Sequence, residues 1–253
     1  MSALALPDTG ILLLVAFAFA VAGGIKGVVG LGLPTISAAI MASGIDLRLA
    51  VGILILPLLV TNLWQVVQVG AVGVLARRFG VLNLAASVGL WIGTEILFAV
   101  DPRWMQGGLG LLLILNAGLQ VVGGMPVVPR AREAALAVPV GLVSGIVGGM
   151  TGSQGIVIAV YLASLNLTRD EYVQGVGLSF LLTGIVWAVA IAANGGITLE
   201  TLPLSALALV VALAAMAVGT RVRRHLPQAR FRQLVFVTMA LLGANLIRRA
   251  VMG

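Results

Sequence analysis

Gly23-Gly24-Ile25-Lys26-Gly27-Val28-Val29-Gly30-Leu31-Gly32-Leu33-Pro34 and Gly141-Leu142-Val143-Ser144-Gly145-Ile146-Val147-Gly148-Gly149-Met150-Thr151-Gly152-Ser153-Gln154-Gly155 are two glycine-broken stretches inside apolar sequence. They stand at corresponding places in the two halves of the chain. A helix facing lipid has no water to satisfy freed N–H and C=O groups. Such breaks therefore persist only where protein or a cavity surrounds them. Paired interruptions in matching positions of two halves point to a membrane protein with a binding site between repeats.

Composition agrees. The chain has 253 residues, 60% of them hydrophobic and 9% charged, against about 25% charged in soluble domains. Its net charge of +7 does not call for a nucleic acid, because the arginines sit in short connections between apolar runs, as in cytoplasmic loops of membrane proteins. The absence of cysteine and the single histidine, His225, argue against disulfides and metal centres. No cofactor is expected. The N-terminus lacks the basic region and small-residue cleavage site of a signal peptide and reads as the approach to a first helix, with Asp8 or Thr9 as its cap.

The reading is an all-α polytopic membrane protein. In the first half it predicts a helix at 9–29, a short piece at 33–43, and spans at 49–69, 80–99 and 104–123. In the second it predicts 134–149, a short piece at 154–165, and spans at 170–193, 201–221 and 231–250. Residues 1–125 and 126–253 form two repeats. A shift of 121 places Gly24-Ile25 on Gly145-Ile146 and Arg48 on Arg169; a two-residue adjustment then sets Gly52 on Gly175 and Trp64 on Trp187. Arg77 and Arg78, Arg130 and Arg132, and the arginines of 221–232 mark three basic loops, whereas 194–200 has no basic residue. With the basic loops in the cytoplasm, equivalent loops fall on opposite faces, so the repeats are inverted. Both termini then lie outside, and Arg248 and Arg249 snorkel.

Lys26 is the only lysine, deep in an apolar stretch, where a charge is costly unless it meets a cavity or partner. An ammonium beside freed backbone N–H groups, near a short helix starting at Pro34, describes an anion site. Its expected members are Lys26, Gly27, Gly30, Gly32 and Pro34 from the first break, with Thr151, Gly152, Ser153 and Gln154 from the second. Both breaks should meet near the bilayer midplane. For the glycines, close packing of helices is an equally good explanation. Glu95 is the carboxylate well inside a span; a structural ion pair with an arginine or Lys26 is favoured over a coupling role. Asn62 and Gln65, with Gln174, Ser179, Thr183 and Trp187 in the second half, either line a polar pathway or bond between helices.

A helix running into G-x-x-G-x-x-G-x-G-x-P at Gly24, Gly27, Gly30, Gly32 and Pro34 resembles the TauE/SafE family of membrane transporters. Gly145, Gly148, Gly149 and Gly152 match its second copy. The resemblance covers essentially the whole chain. It departs from the family pattern at Gly32-Leu33-Pro34, where more glycine is common, and at the polar run Thr151–Gly155. It implies a secondary transporter in the bacterial inner membrane for a small anion such as sulfite, sulfoacetate or a related organosulfonate or carboxylate. Alternating access around the two breaks would move it, and a proton or sodium ion is a candidate coupling ion. An anion channel, a non-transporting subunit and an intramembrane enzyme are the alternatives. No P-loop is present. The lipid bilayer and the anion are the expected partners, with oligomeric state left open.

Overall fold

The computed structural model describes residues 8–67, 72–122, 127–152, 155–165, 167–199, 201–222, 240–241, 243–248 and 250–252. Among them every regular element is helical. The first half gives α1 (Thr9–Val29), α2 (Leu33–Ala42), α3 (Leu47–Val67), α4 (Val72–Arg78), α5 (Gly80–Ala99) and α6 (Pro102–Val122). The second gives α7 (Arg130–Thr151), α8 (Gly155–Ala163), α9 (Arg169–Ala193) and α10 (Thr201–Val222). Within the described residues, six helices are long and apolar enough to cross a membrane: α1, α3, α5, α7, α9 and α10. The predicted span at 231–250 lies largely outside the described residues, although 243–248 are helical and Gly243 lies against Gly110 of α6.

The connection carrying Arg77 and Arg78, read as a basic loop, contains α4 and, within it, Gly73. Leu75 is buried there with Phe79, and this packing holds a short helix that glycine alone would discourage. The α1 cap is as expected: Asp8 Oδ1 accepts from the Gly10 amide at 2.9 Å. At the start of α9, Thr168 and Glu171 form a reciprocal capping box. Hydrogen bonds from the Thr168 backbone and hydroxyl lower the Glu171 pKa. A carboxylate with a depressed folded pKa stabilises above its unfolded value and loses that contribution as pH falls through the folded one. Glu171→Gln should accordingly flatten the acid limb of the stability curve below about pH 4.5. An unchanged acid limb in pH-dependent thermal melts would remove the box from the account.

Two interfaces dominate the packing: α5 on α7, and α1 on α10. Both are built on small residues. A Cβ on Gly145 would meet Ala86 O, and one on Gly149 would meet Leu90 O. A Cβ on Gly23 would meet Ala212 O, and one on Gly27 would meet Met216 O. Glycine at four-residue spacing lets the backbones close to this distance. These glycines thus serve packing, and among the described residues of the two stretches the helices break at Gly30, Gly32 and Gly152, which take left-handed φ of 86°, 98° and 75°. The matching contacts recur at an offset of 122: Gly23 with Gly145, Gly27 with Gly149, Gly30 with Gly152. That corrects the expected shift of 121 by one residue. The offset also holds in α3 and α9, where Thr61 bonds the Pro57 carbonyl and Thr183 the Ser179 carbonyl. Trp64 and Trp187, matched from sequence, differ accordingly: one is exposed and the other buried.

Contacts also fix helix directions. Residues 23 and 27 of α1 meet 212 and 216 of α10, so these helices are parallel, and 145 and 149 of α7 meet 86 and 90 of α5 in the same sense. Gln65 lies over Gly177 while Leu58 and Leu59 lie over Gly184, so α3 and α9 are antiparallel. Phe79 sits at Gly175 and Phe98 at Gly196, which makes α5 and α9 parallel. Gly52, near the start of α3, faces Gly196 and Thr201, at the start of α10. Helices α1, α3 and α10 therefore run one way and α5, α7 and α9 the other.

Candidate functional site

Helix α1 continues unbroken through Gly23, Gly24 and Gly27 and ends at Gly30, whose N–H donates to Lys26 O at 2.7 Å. Helix α7 ends identically, with the Gly152 N–H on Gly148 O at 2.7 Å. Lys26 therefore lies in the last turn of α1 and not inside the break, a correction to the expected placement beside freed amides. The carbonyl end of the helix dipole favours a cation there. The following helix α2 is buried along its whole length, as a short helix at membrane depth must be. Leu33 and Pro34 open it, with Gly32 as its cap.

The Lys26 side chain is 4% exposed. Its ammonium donates to Thr61 Oγ1 at 3.0 Å and to Asn62 Oδ1 at 2.5 Å, both on α3. Both partners are neutral and fully buried. Thr61 is itself held by donation to Pro57 O at 2.7 Å. Among the described residues no carboxylate is ion-paired with Lys26. An ammonium has three donors; two are taken here. Asn62 Nδ2 is buried with no partner.

Elsewhere in the bundle other polar atoms are buried without partners among the described residues: Ser179 Oγ and Trp187 Nε1 on α9, and both amide atoms of Asn83 on α5. Thr183 is buried and donates to Ser179 O at 2.6 Å. Gln65 is half-buried beside Gly177, and Gln174 is buried. The two breaks have different neighbours. Gly152 packs against Trp187, Leu54 and Ala38, whereas Leu31 of the first break joins the cluster around Val66, Leu75 and Phe79. Each break packs against side chains of other helices. Thr151 is buried and donates to Val147 O at 2.7 Å; Ser153 and Gln154 lie outside the described residues. Glu95 is exposed and accepts from Asn194 Nδ2 at 3.2 Å, so the expected ion pair with an arginine or Lys26 is replaced by an amide contact near the end of α5.

Thr61 and Asn83 were missed in the sequence. The signal was present for Asn83, an amide inside an otherwise apolar span, as it was for Asn62. Thr61 carries none, since threonine is common in membrane helices and bonds its own backbone.

At the end of the bundle where α5 and α7 begin, Arg78 forms a bidentate pair with Glu133, at 2.8 and 3.1 Å. That pairing raises the Arg78 pKa further. Tyr161 OH donates to Glu133 O at 2.7 Å. The basic segments around Arg77 and Arg130 are thus brought to one end, as the loop assignment required. At the opposite end Arg48 closes α5 by donating to Leu97 O, Phe98 O and Val100 O.

Lys26 is thus held by neutral groups inside a bundle in which six of the described helices are long and apolar enough to cross a membrane. The family described as sulfite exporter TauE/SafE matches residues 15–246. The chain belongs to this family. No curated protein and no solved structure matches it at a significant level. This TauE/SafE chain is therefore an integral membrane protein of an anion-exporter family, and its site has to be argued from its own residues.

Proposed function

We propose that this TauE/SafE chain is a secondary transporter of a small oxyanion, sulfite, sulfoacetate or a related organosulfonate or carboxylate, moved across the bacterial inner membrane by alternating access. The observation that carries the reading is Lys26: 4% exposed, bonded only to neutral Thr61 and Asn62 among the described residues, and without a carboxylate. A buried charge without a counter-charge is expensive. A substrate anion supplies that counter-charge. Of the donors unpartnered among the described residues, Asn62 Nδ2 lies on α3, which holds the ammonium, and Trp187 Nε1 on α9, which packs against α3, and donors in excess of acceptors suit an oxygen-rich anion.

Alternating access is supported by helix direction. Under the 122-residue offset α1, α2 and α3 correspond to α7, α8 and α9, and α5 takes the place of α10. Each corresponding pair of long helices runs in opposite senses, as inverted repeats spanning 1–125 and 126–253 would. The two principal interfaces, α1 with α10 and α7 with α5, exchange under the same relation. Placing Arg77, Arg78, Arg130, Arg132 and Arg221 in the cytoplasm sets both termini outside.

Counterflow of radiolabelled sulfite, sulfoacetate, taurine, sulfate and lactate in proteoliposomes tests the transport reading, with exchange of at least one expected and none overturning it. Topology has its own test. Single cysteines in this cysteine-free chain should label from the cytoplasm at Arg77→Cys and Arg132→Cys, and from outside at Leu199→Cys. Labelling of all three from one face would exclude the inverted arrangement.

A further inference from the structure

Asn83 and Ser179 are buried, at 4% and 0% exposure, and neither Asn83 Oδ1, Asn83 Nδ2 nor Ser179 Oγ has a partner among the described residues. The backbone does not account for them. Asn83 O is already taken by the Ser87 hydroxyl at 2.8 Å, and Ser179 O by the Thr183 hydroxyl. Buried polar groups in a native protein are nearly always satisfied, so three lone atoms need an explanation.

The two residues lie at one level of the bundle. Phe79 meets Gly175, Asn194 bonds Glu95, and Phe98 meets Gly196, so α5 and α9 run alongside each other in register. Asn83 stands four residues beyond the first anchor on α5, and Ser179 four beyond it on α9. Four residues is about one helical turn. Each step ends about 40° past a full turn, so both positions stay near the side of the Phe79–Gly175 contact, toward the α5–α9 seam. The α3 contacts of α9 are made at Gly177 and Gly184, on its far side. Lys26 is bound to α3. The seam is consequently a separate place from the lysine.

We propose that Asn83 and Ser179 form a second, uncharged binding station for the transported oxyanion, in the seam between α5 and α9. The assignment rests on the anion-transport reading and adds to it a second position on the path. The Asn83 amide and the Ser179 hydroxyl donate to oxygens of the anion. Asn83 Oδ1 accepts from a water carried with it or from a protonated oxygen of the same group. A neutral station binds an anion more weakly than an ammonium does, and conduction requires sites weak enough to leave. Lys26 holds the anion and the seam passes it on.

Asn83→Leu and Ser179→Ala test this by two readouts. Each should slow sulfite counterflow by about tenfold, one charge-assisted hydrogen bond's worth, with a melting temperature at or above that of the unaltered chain. Asn83→Cys, the sole thiol in its background, should react with a small sulfonated thiosulfonate reagent and be protected by sulfoacetate. Full counterflow in both apolar variants with raised melting temperatures would overturn the proposal, as would an Asn83→Cys thiol that is unreactive or unprotected. The underlying reading fails separately. If the unaltered chain exchanges no anion while sulfoacetate still protects the thiol, transport falls and the station stands.

Discussion

Lys26→Met is expected to lower anion affinity by one to two orders of magnitude while raising the melting temperature. The substitution keeps most of the apolar length of the side chain and removes the charge. Lys26 is 4% exposed and its ammonium has, among the described residues, Thr61 and Asn62 as its partners, so the protein holds a charge that neutral dipoles compensate incompletely. Removing it relieves that cost. The opposing loss is the Asn62 Oδ1 bond, and because Asn62 Nδ2 is already unpartnered the amide can turn to reduce it. With substrate bound, the same substitution deletes a charge-assisted bond of about 1.5–3 kcal/mol, which converts to the stated loss of affinity. The two signs are what separate a binding residue from a packing residue. Affinity and melting temperature should be measured on one purified variant. A higher melting temperature with unaltered affinity would take Lys26 out of the site.

The fold was largely legible because hydropathy and length decide membrane spans with little help from tertiary context. Predicted spans at 80–99, 170–193 and 201–221 correspond to α5, α9 and α10. What sequence could not decide was the purpose of each glycine. Gly23, Gly27, Gly145 and Gly149 belong to packing, and Gly30, Gly32 and Gly152 to turns. Both uses draw on the missing Cβ, so composition does not distinguish them; only four-residue spacing hints at the first. The one-residue error in the internal shift has the same origin, since Gly148-Gly149 offers two equally good partners for Gly27. For the candidate site, the burial of Lys26 was legible, because a lone lysine in an apolar stretch is a physical anomaly visible in one dimension. Its partners Thr61 and Asn62 depend on how α1 crosses α3, and the placement of Glu95 at Asn194 depends on where α9 ends. Neither follows from local pattern.

Gly23→Ala and Gly24→Ala, neighbours in the chain, are expected to change stability in opposite directions. A Cβ on Gly23 would lie 2.6 Å from Ala212 O and 3.0 Å from its Cα. Both are backbone atoms of α10, so no rotamer change relieves the clash and the two helices must separate. Overpacking of this kind costs about 1–3 kcal/mol, and the separation is shared along the α1–α10 interface, where the Gly27 and Gly219 contacts are equally close-packed against backbone. A Cβ on Gly24 would meet nothing within 4 Å. There alanine removes the entropic penalty of glycine in a helix, a gain of about 0.5–1 kcal/mol. Gly145→Ala should reproduce the loss at Gly23, because its Cβ would fall on Ala86 O in the equivalent α7–α5 interface. Thermal melts in detergent of the three variants provide the check. If Gly23→Ala and Gly145→Ala melt no lower than Gly24→Ala, the close approach of the backbones is not what holds these interfaces. If only one of the pair is destabilised, the two interfaces are not energetic equivalents. Equal losses are the expected outcome of the proposed inverted relation, which exchanges the two interfaces.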